Sequence, residues 1–321
     1  MRRRRTAHSR GWTAGALVRE GARRFRKARI GFGHGTFNAR DEAAWLVSHA
    51  LKCASEQIFL SPSKPVAPAA ALRILDLFRR RVAERKPAAY LIHEAWLGGL
   101  RFYIDERAIV PRSHIAGLLQ ARLEPWVMAS RSVRSVLDLC TGSGCLAVLS
   151  ARAFPRARVD AVDVSSSALA VARRNVDAFR LSHRIRLVRS DLFANLRTKR
   201  YDLILCNPPY VTASAMDHLP PEYRHEPKLA LAGGRDGLTL VRRILARSGA
   251  HLNAQGLLVV EVGSGRARVE RTFRGIPLIW PDVGESHAVF IVEREALADY
   301  GRGSSRASSS SRTRPRVNSR T

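Results

Sequence analysis

From Val133 onward, short apolar runs alternate with stretches of helical periodicity, and this alternation leaves few folds open. The runs at 136–139, 159–162, 185–188, 203–206 and 257–262 are too short for helices and too apolar for half-exposed strands. They read as strands covered on both faces. Between them residues 146–153 and 238–252 read as helices, as does the stretch Ser165 caps, with Leu169, Ala172, Val176 and Phe179 turned inward. Regular succession of strand and helix predicts an α/β fold built on a doubly wound parallel sheet. Residues 276–279 and 288–292 are expected to finish it as an antiparallel edge pair.

The fourth run stops abruptly at Asn207-Pro208-Pro209-Tyr210. A proline cannot donate to a strand ladder, so the chain must leave the sheet at Asn207. That point is the carboxyl end of the strand, the edge where open α/β sheets bind ligands. Asn207 offers a carbonyl acceptor, and the Pro208 carbonyl lies beside it. Two neighbouring acceptors can hold both hydrogens of a planar –NH2 group while Tyr210 stacks on its plane. An amide nitrogen is a poor nucleophile because its lone pair is delocalised. Gripping both hydrogens turns that lone pair toward an electrophile, which is catalysis by orientation and placed dipoles. Without such a ligand the tetrapeptide is a strand followed by a stiff turn.

A glycine-containing loop, Asp138-Leu139-Cys140-Thr141-Gly142-Ser143-Gly144, follows the first run and opens the first helix of the sheet. Nicotinamide-binding loops are similar but carry G-x-G-x-x-G; here Leu146-Ala147 follows instead. Asp138 would repel a pyrophosphate and attract a sulfonium or an ammonium. Asp163 ends the second run, where a carboxylate can accept from both hydroxyls of a ribose. Asp191, followed by Leu192, comes after the third run, within reach of an adenine amino group. S-adenosylmethionine is the ligand that needs a ribose grip and an adenine grip but no phosphate cradle.

Ahead of the sheet the chain is helical in pattern. An amphipathic helix is expected over 13–29, and Asn38-x-x-Asp41 has the form of a capping box. A third helix carries Leu72, Leu75, Phe78 and Val82 inward and Arg79, Arg80, Arg81 and Arg85 on a solvated outer face. Gly98-Gly99 between β-rich runs predicts a hairpin. The organisation read from these signals is a basic unfolded arm at 1–11, a helical domain at 12–95 and a hairpin linker at 96–112. The sheet domain then spans 113–298, before a Ser- and Arg-rich unfolded tail at 299–321.

Net charge is +28, and its ends are basic out of proportion: residues 1–29 carry eleven basic residues against one acid, and 301–321 carry six arginines and no acid. Such arms suit a polyanion such as RNA; an arginine-rich composition with only six lysines is the plain alternative. No apolar run approaches a membrane span, and no apolar core follows Arg2-Arg3-Arg4-Arg5, so a cytoplasmic protein is expected. Cys53, Cys140, Cys145 and Cys206 form no C-x-x-C pair, and neither zinc nor disulfides are expected.

Together the loop and Asn207-Pro208-Pro209-Tyr210 resemble class I amino-group methyltransferases. The chain resembles in particular the HemK-type protein-glutamine N(5)-methyltransferases, through Gly33-His34-Gly35-Thr36, Ala88-Ala89-Tyr90-Leu91, Val110-Pro111-Arg112-Ser113, residues 222–227, Gly233-x-x-x-Gly237 and Glu261-Val262-Gly263. The likeness covers about residues 13–298. It implies a Rossmann-like, S-adenosylmethionine-dependent fold preceded by a small helical domain and a hairpin. Pro111-Arg112-Ser113 and Cys140 favour the branch acting on large-subunit ribosomal protein L-three, or its assembly particle, over the branch acting on release factors. His114 stands where that branch usually has proline and is expected to loosen the start of the next helix.

Carried over, the resemblance makes Asn207, Pro208, Pro209 and Tyr210 catalytic. It assigns cofactor binding to Asp138, Cys140, Thr141, Gly142, Ser143, Gly144, Asp163, Asp191, Leu192 and Asn207, with no metal. The implied reaction is methyl transfer to a glutamine side-chain amide. Rival readings are a release-factor methyltransferase, an adenine or guanine amino methyltransferase, an idle RNA-binding ribosome-assembly factor and, more remotely, a nicotinamide dehydrogenase.

Overall fold

The computed structural model describes residues 11–129, 132–282 and 289–297. Apart from Gly11, the arm expected at 1–11 and the tail expected at 299–321 lie outside the described residues. The described residues divide into two compact units, one within 11–96, 101–112 and 219–227, the other within 97–100, 113–218 and 228–297.

In the first unit α1 (Ala14–Lys27) starts where Thr13 accepts from the Ala16 N–H, and it buries Leu17, Val18 and Phe25. α2 (Ala39–Leu51) starts at Asn38, whose side chain accepts from the Arg40 and Asp41 N–H groups and donates to the Asp41 carboxylate. α3 (Ser55–Leu60) is short, α4 (Pro68–Glu84) opens on proline, and α5 (Ala88–Ile92) is buried throughout. The Phe25 and Phe78 rings meet edge to face, 5.5 Å between centroids, and lock α1 on α4.

The face of α4 is not the one expected from its leucines. Ile74, Phe78 and Arg81 turn inward, whereas Leu72 is 68% exposed. Arg81 is fully buried because Glu42, itself buried, accepts from its Nε at 2.7 Å while the Gly31 carbonyl accepts from Nη2. An arginine goes inside when an ion pair waits for it, which apolar spacing cannot register.

β1 (Ala95–Leu97) and β2 (Leu100–Phe102) form the expected hairpin, with Gly98 and Gly99 both at positive φ. In the second unit α6 (Ile115–Gln120) precedes β3 (Ser135–Leu139), α7 (Cys145–Ala153), β4 (Arg158–Asp163), α8 (Ser166–Ala178), β5 (Ile185–Arg189) and β6 (Tyr201–Cys206). The short α9 (Ala213–Met216) and α10 (Lys228–Leu231) are followed by α11 (Thr239–Ser248), β7 (Leu252–Glu261), α12 (Arg266–Thr272) and β8 (Val289–Glu293).

The sheet runs in the order β5-β4-β3-β6-β7-β8, parallel except for β8, which pairs antiparallel with β7 at the edge. Residues 276–279 do not form the second edge strand expected of them; a single bridge, Ile279 to Ile291, is all they contribute. From β3 the chain winds outward to β4 and β5, then returns to the other side of β3 as β6. The switch point therefore lies between β3 and β6, where such sheets hold ligands. Buried Leu137, Leu139, Ile204, Leu258 and Phe290 of the sheet pack with Val241, Ile244 and Leu245 of α11 on one face. At the opposite sheet edge Asp202 accepts from the Arg134 and Ser135 N–H groups and from Asn253, tying the strand starts together.

Candidate active site

Register decides what meets at the switch point. Leu139 of β3 pairs with Val162 of β4 on one side and with Cys206 of β6 on the other. One residue further on, Cys140 and Asn207 leave the sheet, while Asp163 is the last residue of β4, paired with Arg189 of β5. The loop from Cys140 curls because Cys140, Gly142 and Gly144 all take positive φ, at 57°, 54° and 79°. At Gly144 a Cβ would come 3.0 Å from the Ala172 Cβ of α8, so glycine is needed for the helix packing as well as for the turn.

Two carboxylates frame this loop. Asp163 accepts from the Gly142 N–H through Oδ2 and from the Ser165 N–H through Oδ1, each at 2.9 Å. Burial raises its pKa while those N–H groups pull the other way. Asp138 is fully buried; Thr141 Oγ1 donates to its Oδ2, and its Oδ1 has no hydrogen-bond partner among the described residues. Burial pushes Asp138 up to about 7 against the pull of the Thr141 hydroxyl and the Ala147 N–H, and Asp163 adds to the rise. An orphaned carboxylate oxygen and a second carboxylate at the same loop suit a ligand with a positive centre and ribose hydroxyls. They would repel a pyrophosphate. The residues present thus fit S-adenosylmethionine.

Other residues expected at the cofactor fall into two groups. Thr141 and Ser143 are buried in the loop; the Ser143 hydroxyl meets Cys145 Sγ at 3.2 Å, and the Ser143 carbonyl accepts from Asn175. Asp191 has a side chain 56% exposed and paired with Arg243 at 2.7 Å, while Leu192 is buried in the sheet core with Phe193 and Leu196. Cys206 is buried beside Cys140, and burial raises its thiol pKa further than the neighbouring sulfur does. No group of three or more His, Cys, Asp or Glu suited to a metal occurs among the described residues.

Beyond β6, Pro208 and Pro209 are buried and Asn207 and Tyr210 partly so. What holds Tyr210 was not read from the sequence. A Cβ on Gly233 would lie 2.7 Å from the Tyr210 Cα, one on Gly237 would strike the Tyr210 carbonyl, and one on Gly263 would lie 2.7 Å from the ring at Cε2. Three glycines from two separate segments thus enclose one tyrosine. The Gly233-x-x-x-Gly237 spacing and the glycine ending the β7 segment were the signals available.

The next helix is also pinned to this edge. Glu261, buried at the end of β7, accepts from the Ser113 hydroxyl at 2.6 Å and from the His114 N–H at 2.9 Å. Proline at 114 would lack that N–H, so His114 adds a bond to the start of α6 where loosening was expected. In the first unit, Glu226 is buried and takes a two-pronged bond from Arg112, at 2.7 and 2.6 Å, as well as the Val110 N–H. Burial alone would raise Glu226; Arg112, with His34 at 3.6 Å, outweighs it and holds the carboxyl at about 2.

Comparison with known proteins agrees with this arrangement. The PrmC N-terminal domain family matches residues 16–92, and the Methyltransferase small domain family matches residues 122–219. A ribosomal protein uL3 glutamine methyltransferase of Bordetella pertussis is 51% identical over 88% of this chain and 95% of its own. Its counterpart in Burkholderia pseudomallei is 49% identical over 88% and 94%, and that of Neisseria meningitidis serogroup A 45% identical over 88% and 93%. With that identity sustained across both the helical unit and the sheet, the chain belongs to the ribosomal protein uL3 glutamine methyltransferase family.

Proposed function

We propose that this protein transfers a methyl group from S-adenosylmethionine to the side-chain amide nitrogen, N(5), of a glutamine in ribosomal protein uL3. The observation that carries the reading is the register: Asn207 emerges one residue beyond the Leu139–Cys206 pairing, beside the glycine loop that Asp163 holds. S-adenosylmethionine, when bound, supplies an electrophilic methyl carbon on a positively charged sulfur. Asp163 would hold the ribose with the lone pairs left over from Gly142 and Ser165, and Asp138 would face the positive end. The Asn207 side-chain oxygen and the Pro208 carbonyl accept the two amide hydrogens of the glutamine. Tyr210, fixed from three sides, packs on the amide plane and denies it any other rotation. Held so, the nitrogen presents its lone pair without first losing a proton, and the proton departs to water after transfer.

The protein works in the cytoplasm, where ribosomes are assembled; no described helix is long and apolar enough to cross a membrane. The basic arms would add contact with ribosomal RNA. The test is to incubate the purified protein with labelled cofactor and, separately, uL3, release factors, RNA and DNA. Label is expected in uL3 alone, on a glutamine by mass spectrometry. Label in release factors or nucleic acid instead would reassign the substrate.

A further inference from the structure

Past Tyr210 the second unit holds a cavity of about 630 Å³ that the reaction as described does not use. Arg235, Arg242 and Arg268 line it together with the hydroxyl residues Thr212, Ser214 and Thr239. One acid, Asp236, also reaches the wall, and it is committed. It accepts from both terminal nitrogens of Arg242 and from the Leu238 N–H, and these contacts, Arg242 first, hold it ionised at about 2. Asp236 thereby neutralises one guanidinium and leaves two uncompensated. The Nε of Arg268 is buried without a hydrogen-bond partner among the described residues. A buried guanidinium N–H with no acceptor is costly, and an acceptor bound to this arginine would offset part of that cost. Thr239 begins the ten-residue helix α11, so the positive end of that helix's dipole lies at the same wall.

Donors from two uncompensated arginines, three hydroxyls and a helix start select an oxyanion of high charge. The volume exceeds one phosphate and matches a nucleotide-sized fragment. The whole chain carries +28, with concentrated positive charge at both ends, which suits a long polyanion over a small one. Thr212 is two residues past Tyr210, so the cavity continues from the segment that would receive the glutamine. We infer that this cavity binds the phosphodiester backbone of RNA, so that the enzyme takes its ribosomal-protein substrate while that protein is already on RNA. The inference rests on uL3 being the substrate only in its second clause; the RNA site stands on its own.

The experiment uses the full chain, wild type against Arg235→Gln/Arg268→Gln, with Arg242 kept because it holds Asp236. Binding of a labelled single-stranded RNA is followed by fluorescence anisotropy across a salt series. The variant is expected to bind about tenfold more weakly and to lose about 1.4 from the slope of log affinity against log salt, about 0.7 for each phosphate contact removed. Inorganic phosphate and pyrophosphate are run as competitors; displacement of RNA only by the longer polyanion supports a backbone site, whereas full displacement by phosphate at equal concentration overturns it. The second readout is the ratio of kcat/KM for RNA-bound over free uL3. That ratio should exceed one in the wild type and fall to about one in the variant, through KM. Unchanged RNA affinity and salt slope would overturn the site. An equal loss on free and RNA-bound uL3 would assign the arginines to the protein substrate instead and overturn the RNA reading. The exposed Arg235→Glu single variant repeats the binding test should the double variant fold poorly. If uL3 were never methylated, the binding arm would still decide the cavity.

Discussion

Leu139 and Cys206 are register partners in neighbouring parallel strands, and that single pairing sets the site. It makes the glycine loop and Asn207 leave the sheet together, on the same edge and at the same height. A slip of one residue would turn the side chains at this end of β6 to the opposite face.

On the proposed mechanism, Asn207→Ala removes one of two acceptors for the substrate amide. Turnover should fall about 10²–10³-fold, the cost of losing one oriented transition-state hydrogen bond. Single-turnover methylation of uL3 at saturating cofactor measures it, and retained wild-type turnover would deny Asn207 the role.

Asp138 sits near 7 where a free aspartic acid has an ordinary value of 3.8. Ionising it favours a cationic ligand, so affinity for S-adenosylmethionine should rise as pH climbs from about 6 to about 8. Without ligand the sign reverses. A carboxyl whose folded value is raised keeps its proton better when folded, so its contribution to stability declines as pH rises from about 4 to about 7. Calorimetric titration of wild type against Asp138→Asn checks both, and the variant should show neither trend.

Gly263→Ala would put a methyl group into the Tyr210 ring, at a residue whose φ is +52°. The left-handed backbone alone should cost about 1 kcal/mol. Displacing the ring should lower kcat by about 10–100-fold, more than it raises KM. Gly275→Ala, where an added Cβ meets nothing within 4 Å, is the control and should leave both constants alone.

Glu226 lies at about 2 against an ordinary 4.5 because Arg112 and His34 overcome the effect of burial. A depressed carboxyl contributes stability above its unfolded value and loses it as pH falls toward the folded one. The loss should run between pH 4.5 and 2 and amount to about 3 kcal/mol. Urea unfolding of wild type and Glu226→Gln at several acid pH values isolates it as the difference between the two. Equal acid sensitivity would mean that the Arg112 pair is worth little.

Several features could be read from residues alone because they depend on neighbours in the chain. The strands around the switch point are legible since a run covered on both faces must be continuously apolar. Asn38 is legible as a cap because its partners are two and three residues away. Gly98-Gly99 is legible because a tight turn needs positive φ at both positions. The Pro208-Pro209 pair ends β6 wherever that strand sits in the sheet.

Partners distant in sequence were invisible to that reading. Apolar spacing alone puts Arg81 in solvent and Leu72 in the core, because Glu42, the ion-pair partner of Arg81, is 39 residues away. Glu226 and Arg112 are 114 residues apart, and residues 219–227 join the first unit although the chain on either side belongs to the second. The glycines around Tyr210 come from two later segments, and only folding brings them to one ring. The sequence by itself determined the elements, their caps and turns, and where a strand must stop, since all of these follow from local sterics and apolar spacing. The tertiary structure alone decided which charges are buried, which loop carboxylate keeps an unpaired oxygen and what encloses the tyrosine. Those outcomes depend on desolvation and close packing between residues that no periodicity connects.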